Sequence, residues 1–289
     1  MQDRPRTYGQ RGFTLVELLV TVGIIVILIA LLLPVLSKAR AQANTVRCMG
    51  NQRQLMQACI SYASDNDGYL PPPNWDGAAQ NKGFPAGWLY NPKTLSASNT
   101  FLQTDAESGV LYPYLSNGGQ PLSAGQAPSP NALQVYRCYI DDGNYPPNTV
   151  QAVTSYVMNG AVCDFNNDQP EKLGRFKATA ILLWEIPSAG VYQTETGQTD
   201  NGEVNDGANY PAEEITTRHQ NGSTVGFVDG HAEQMTWTQF TSDWYYPTTG
   251  PGMLWCAPAI ADGGYSECKS ALPGYFPAAG PPGQPPNGD

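Results

Sequence analysis

The chain has 289 residues, of which 14% are charged, with 25 acids against 15 Lys and Arg for a net charge of −10. That length suffices for one sizeable domain plus an anchor, and 30 Gly with 25 Pro argue for a loop-rich, strand-based domain and against a helical bundle. No acid occurs between Leu18 and Ser64, and from Asp65 onward 23 acids face 8 bases; so acidic a majority lacks the clustered Lys and Arg that nucleic acid demands, and no nucleic-acid partner is expected.

The first element is apolar. Leu18 to Leu36 is a run of nineteen residues whose only polar side chain is Thr21. As a helix it spans ~28 Å, close to the hydrocarbon thickness of a lipid bilayer. Glu17 stands at its threshold, and an acid beside such a segment costs enough to mark a functional site. A plain transmembrane anchor would need neither this glutamate nor the Gly12–Phe13 step before it. A secretory signal peptide has a shorter apolar core, and Lys38 and Arg40 intervene before Ala41-Gln42-Ala43, the small-residue sequence that imitates its cleavage site.

The stretch Gly12-Phe13-Thr14-Leu15-Val16-Glu17 resembles the processing site of type IV prepilins and of the pseudopilins of type II secretion. The resemblance implies a leader, residues 1–12, that prepilin peptidase removes by cutting between Gly12 and Phe13, followed by N-methylation of Phe13. It also implies that Glu17 acts in assembly and that Pro34 is the usual mid-helix proline. Arg4, Arg6 and Arg11 precede the span, but Lys38, Arg40 and Arg47 follow it. The positive-inside rule is therefore indecisive, and orientation rests on the resemblance: a single pass through the inner membrane with the head outside the cytoplasm, and later a periplasmic or extracellular filament.

Beyond the membrane segment, residues 13–36, the helix is expected to continue through 37–66. Two adjacent stripes, Cys48/Leu55/Cys59/Tyr62 and Val46/Met49/Met56/Ile60/Ala63, give one broad apolar face at 3- and 4-residue steps. Asp65-Asn66-Asp67-Gly68 reads as its stop, and Pro71-Pro72-Pro73 forbids continuation. A head domain, residues 67–270, follows. Its first part, 71–130, is Gly-, Pro- and Asn-rich with aromatic islands at Trp75, Trp88-Leu89-Tyr90 and Leu111–Leu115, and is expected to form long loops. Strands are expected at Leu133–Cys138, Ser155–Met158 and Ala180–Glu185. A three-stranded meander is expected over Glu214–His219, Ser223–Val228 and His231–Trp237, with turns at Asn221-Gly222 and Asp229-Gly230. A further loop runs from Trp255 to Cys268, and residues 271–289 read as a Pro/Gly-rich disordered tail. The fold class is thus α+β: one long amino-terminal helix packed on an antiparallel sheet head with long loops, a pilin-like arrangement.

Arg47-Cys48-x-x-Asn51-x-Arg53-Gln54-Leu55, Tyr136-Arg137-Cys138 and the Ile-Leu-Leu-Trp-Glu strand resemble a subgroup of pilin-like proteins, in which the second cysteine is usually followed by proline; here Tyr139 follows. His219, nine intervening residues and Asp229-Gly230 resemble the same subgroup's motif associated with prepilin processing.

No catalytic residue is expected. His219, His231 and Asp229 invite an acid/base or ligand reading, but His219 and Asp229 fall near opposite ends of one strand, some 20 Å apart, and Asp229 suits a turn. The sequence has no His-Glu-x-x-His and no paired Cys-x-x-Cys spacing, and no metal or cofactor is expected. Asp164-Phe-Asn166-Asn-Asp168 has calcium-loop oxygens at positions one, three and five but lacks the glycine and glutamate such loops carry later. Six cysteines suit an oxidised head. Cys48 and Cys59 are ~16 Å apart along a helix and do not pair, whereas Cys256 and Cys268 bracket a Gly-rich loop and form a local pair. The subgroup resemblance favours Cys48 with Cys138 as the next.

The reading is a structural subunit. Its partners are prepilin peptidase, other pilin or pseudopilin subunits, the inner-membrane assembly platform and the lipid bilayer. The rivals are a membrane-held or filament-tip adhesin using exposed Tyr and Trp, and a membrane-anchored hydrolase.

Overall fold

The structure, a computed structural model, describes residues 14–74, 85–95, 102–116, 132–141, 150–163, 170–186, 207–209, 215–245, 252–258, 261 and 264. The leader, Phe13, the Asp164–Asp168 loop, Cys268 and the tail lie outside them, as do the loop residues 117–131. The chain divides into two compact units, Met1–Ala43 and Asn44–Asp289.

Helix α1, Leu15–Asp65, contributes residues to both. Its start is set by a reciprocal cap. Thr14 N–H donates to Glu17 Oε2 at 2.8 Å, and Glu17 N–H donates to Thr14 Oγ1 at 3.2 Å. This is the Thr-x-x-Glu capping box, in which each side chain satisfies a backbone donor the first turn leaves open. Its end falls at the expected stop. The Gly68 N–H bonds back to the Ala63 carbonyl at 2.8 Å while Asp67 and Gly68 take positive φ, a left-handed reversal that glycine accepts without strain. Pro34 lies inside the helix, where it has no N–H to donate.

Among the described residues α1 is the one helix long and apolar enough to cross a membrane. From Thr45 onward its residues belong to the second unit and one face is buried: Thr45, Cys48, Gln52, Leu55, Met56, Ala58, Cys59 and Ala63. That face follows the first expected stripe with Met56 and Ala63 added. Val46, expected on it, is half exposed, because two polar residues, Thr45 and Gln52, occupy the face instead. Each has a partner there: Thr45 meets His219, and Gln52 Nε2 donates to the Thr224 carbonyl at 3.2 Å.

The helix face packs on a five-stranded sheet. Its strands are β1 (Tyr156–Asn159), β2 (Ile181–Glu185), β3 (Ala208–Asn209), β4 (Gly222–Phe227) and β5 (Ala232–Thr236), in the order β3-β1-β2-β4-β5. All neighbours are antiparallel except the two-residue β3, which pairs parallel with β1. The α+β class and the helix-on-antiparallel-sheet arrangement therefore hold. Close approach of β4 to α1 requires Gly226: a Cβ there would lie 2.8 Å from Met56 Cγ and 2.9 Å from Gln52 Oε1.

Three expected elements differ. Leu133–Cys138 is not a strand; Ala132–Tyr136 forms a 3-10 helix with Ala132, Val135 and Tyr136 buried, so the apolar spacing is three rather than two. Residues 215–219 are not a strand of the meander. The position beside β4 is taken by β2, whose five residues are all buried and whose longer apolar run gains more from burial on both faces. The segment keeps one bond to it, Thr216 N–H to the Glu185 carbonyl at 3.0 Å, and turns back through Gln220 and Asn221 at positive φ. Trp237 begins a helix, α3 (Trp237–Tyr245), where a strand end was expected. Its start is again a capping box: Thr236 N–H donates to Gln239 Oε1 at 2.8 Å and Gln239 N–H to Thr236 Oγ1 at 3.3 Å.

The aromatic islands Trp88-Leu89-Tyr90 and Leu111–Leu115 pack as expected, and Trp75 lies outside the described residues. Trp88, Leu89 and Tyr90 are fully buried, as are Trp184 and Trp255. The Trp88 indole donates to the Gly207 carbonyl at 2.8 Å, and Asn74 holds the island's backbone through Leu89 N–H and the Tyr90 carbonyl. The loop region also carries a 3-10 turn at Gln103–Ser108 and a short helix, α2, at Tyr112–Ser116.

Candidate functional site

Two places concentrate functional chemistry. The first is the start of α1. Glu17 Oε2 accepts from both the amide and the hydroxyl of Thr14, the latter at 2.9 Å. An assembly role for Glu17 has a local counterpart here, since the carboxylate is engaged within its own chain. Past it, the large apolar side chains from Leu15 to Leu36 are 48–79% exposed. No described residue of the first unit covers them.

The second place lies inside the head and joins four distant segments: Cys48 on α1, Cys138 after the 132–136 turn, Glu185 at the end of β2, and His219 in the turn before β4. All four are buried, and their sulfur, nitrogen and carboxylate oxygen atoms lie within 4.8 Å of one another. The two sulfurs are 2.8 Å apart. His219 Nε2 lies 3.3 Å from Cys138 Sγ, 3.1 Å from Glu185 Oε1 and 2.9 Å from Oε2. Its other nitrogen, Nδ1, meets Thr45 Oγ1 at 3.1 Å. The surroundings complete the set: Tyr139 N–H donates to Cys48 Sγ at 3.3 Å, and Thr224 Oγ1 donates to Glu185 Oε1. A flanking layer has Arg218 beside Asp141 at 3.8 Å, Ser155 Oγ donating to Asp141, and Cys138 N–H donating to Ser155 Oγ at 2.9 Å.

A carboxylate and an imidazole removed from water are tolerable only when paired, and each here finds a partner. The Cys138 hydrogen bond, against the opposing effect of burial, pulls the Cys48 thiol down to about 6. Cys138, bonded to Cys48 and buried, is pushed up. Burial draws His219 down, but hydrogen bonds to Cys48 and Glu185 and their negative charge outweigh it and raise the imidazole to about 9.

The expected site residues separate accordingly. Cys48 and Cys138, expected to pair, do meet, as thiols. Cys256 is buried, with Asn159 Nδ2 3.3 Å from its sulfur, while its expected partner Cys268 lies outside the described residues, as do Gly12 and Phe13. His219 and Asp229 do not come together. Asp229 sits at the β4–β5 turn, accepting the His231 N–H at 3.0 Å and pairing with its imidazole, which stacks on Phe227. Slight burial would raise the Asp229 carboxyl, but these His231 contacts hold it below its usual value. Gly230 takes φ +95°, and a Cβ there would lie 3.0 Å from Ile60 Cδ1. Asp229 and Gly230 are thus turn residues fitted to α1, as Asp229's suitability for a turn led one to expect. Glu185 was missed as a site residue. Its signal was a carboxylate closing a wholly apolar strand, Ile-Leu-Leu-Trp-Glu, where burial obliges it to find a partner.

Residues 8–33 match the family model described as the prokaryotic N-terminal methylation motif. No curated protein and no solved structure matches the chain. The motif points to type IV pilin-like and pseudopilin-type proteins in general. With it come processing by prepilin peptidase and association with other pilin subunits as general properties of the class.

Proposed function

We propose that the chain is a structural subunit of a type IV pilus-like or type II secretion pseudopilus filament, made as a prepilin and cut between Gly12 and Phe13. The observation that carries this reading is the methylation motif at 8–33 leading into a helix whose apolar side chains are exposed among the described residues of their own unit. A bilayer covers them first. After cleavage and N-methylation of Phe13, neighbouring helices cover them in the filament, drawn from the inner membrane by its assembly platform.

Glu17 sets the stagger in this account. In the single subunit its carboxylate rests on Thr14. Among packed helices the first turns are surrounded by Leu, Val and Ile, where an unpaired carboxylate costs several kcal/mol. The amino-terminal cation of a neighbour's Phe13 offsets much of that cost, and only at the correct axial register. Glu17→Val is then expected to leave expression, membrane insertion and leader cleavage nearly unchanged while sharply reducing incorporation into filaments. Co-expression with the natural chain, followed by quantification in sheared filaments, measures this. Normal incorporation of the variant would sink the mechanism.

The His219-to-Asp229-Gly230 motif acts structurally in this reading, through the buried cluster and the β4–β5 turn. The adhesin alternative has few aromatics to work with among the described residues: Tyr69 and Tyr139 are exposed, while Trp88, Trp184, Trp237 and Trp255 are buried. Burial of His219 likewise argues against the hydrolase, since it faces Thr45, Cys138 and Glu185 rather than solvent.

A further inference from the structure

We propose that Cys48, Cys138, Glu185 and His219 form a buried, four-ligand zinc site that fastens α1 to the sheet. Two thiols, an imidazole and a carboxylate are the donor set zinc takes in tetrahedral coordination; calcium and magnesium call for oxygen alone. The cluster is drawn from four chain segments and is closed, with all four residues buried, as in structural rather than catalytic zinc sites.

The distances suit an ion. Zn–S of ~2.3 Å and Zn–N or Zn–O of ~2.0–2.1 Å place tetrahedral edges at ~3.8 Å between sulfurs, ~3.5 Å between sulfur and nitrogen, and ~3.3 Å between nitrogen and oxygen. The corresponding separations here are 2.8, 3.3 and 2.9 Å. The nitrogen edges need only open by a few tenths of an ångström and the sulfur edge by about 1 Å, within reach of small side-chain rotations. A disulfide would instead bring the sulfurs to ~2.05 Å, so this distance alone does not choose between the two.

The other two ligands choose. His219 Nε2 has three acceptors within 3.3 Å, namely Cys138 Sγ and both oxygens of Glu185. One N–H cannot serve three, and Glu185 Oε2 has no hydrogen-bond donor of its own. A cation at their common centre satisfies all of them at once. A disulfide would leave His219 and Glu185 paired with each other but set against neutral sulfur, with one N–H still facing two carboxylate oxygens. The outer contacts also have the form of a metal site's second shell. Thr45 Oγ1 lies 3.1 Å from Nδ1, where it can accept from an Nδ1–H and so leave Nε2 as the ligand. Tyr139 N–H supports the Cys48 sulfur, and Thr224 supports Glu185.

Binding releases to solvent whatever protons Cys48, Cys138 and His219 Nε2 hold between them; no redox step occurs. The ion with two thiolates and one carboxylate carries a net single negative charge. Because the unfolded chain does not hold these four residues together, zinc binding stabilises the folded head, and it keeps Cys48 and Cys138 as thiolates where a disulfide had been expected.

The test uses the full chain purified in detergent without chelator or reductant. Elemental analysis should find one zinc per chain. Cobalt(II) exchanged into the site should give the visible bands of tetrahedral coordination and the near-ultraviolet charge-transfer band of a cobalt–thiolate bond. After denaturation in chelator, alkylation should recover both Cys48 and Cys138 as free thiols. His219→Ala and Glu185→Gln should each weaken zinc retention at least tenfold. If neither variant folds, the metal content and thiol mapping of the natural chain decide alone. A metal-free chain with a Cys48–Cys138 crosslinked peptide would overturn the proposal, as would stoichiometric zinc indifferent to Cys48→Ser and Cys138→Ser. None of these readouts depends on leader cleavage or filament formation, so the zinc site and the filament reading stand or fall separately.

Discussion

The two parts of α1 solve the same problem with different partners. From Leu15 to Leu36 the large apolar side chains are 48–79% exposed, on every side of the helix, whereas from Thr45 to Ala63 one face is buried and the other is solvated. A helix apolar all round must be enclosed by something other than its own domain, lipid or other helices; a helix with a stripe at 3- and 4-residue steps needs only one sheet. The pattern of hydrophobicity, more than its amount, tells where the partner is.

That contrast can be broken most sharply by the same substitution in both parts. Leu55 is fully buried against the sheet, so Leu55→Ala should destabilise the head by about 2–5 kcal/mol through lost burial and the cavity left behind. Urea unfolding followed by the fluorescence of buried Trp88, Trp184 and Trp255 would measure it. A smaller loss, about 1–3 kcal/mol, is expected for Gly226→Val, which drives side-chain atoms into Met56 and Gln52. This tests whether the α1–β4 contact is as close as described; an unchanged midpoint would say that it is not. Thr236→Ala, which removes the cap of α3, should cost about 1 kcal/mol in the same assay. The smallest effect belongs to the first part: Leu28→Ala should leave head unfolding within about 0.5 kcal/mol, as for other exposed sites. A loss at Leu28 comparable to that at Leu55 would erase the distinction between the two parts.

Legibility in the sequence followed how local each signal is. The start and end of α1, the β4–β5 hairpin and the apolar strands β1 and β2 depend on neighbours within a few residues, and each stands near its expected place. Residues 215–219 failed because β2, some thirty residues earlier, competes for the same edge of β4, and no local pattern shows that. The helix α3 could have been read from Thr236-x-x-Gln239, the counterpart of Thr14-x-x-Glu17. The buried cluster was legible only in fragments. Cys48 and Cys138 were linked by family resemblance, and His219 was singled out and kept apart from Asp229, but its companion Glu185 was not foreseen. Ligand-spacing rules look for donors close in sequence, and these donors come from four segments that meet only after α1 docks on the sheet.

The central claim is that the exposed part of α1 is an assembly surface unmasked by processing. Mass spectrometry of the chain recovered from sheared, pelleted filaments tests it most directly. The account predicts a mature chain beginning at Phe13 and carrying one methyl group on its amino-terminal nitrogen. A chain absent from filaments, or present in membranes with its leader intact or with an amino terminus at Asn44, would contradict it.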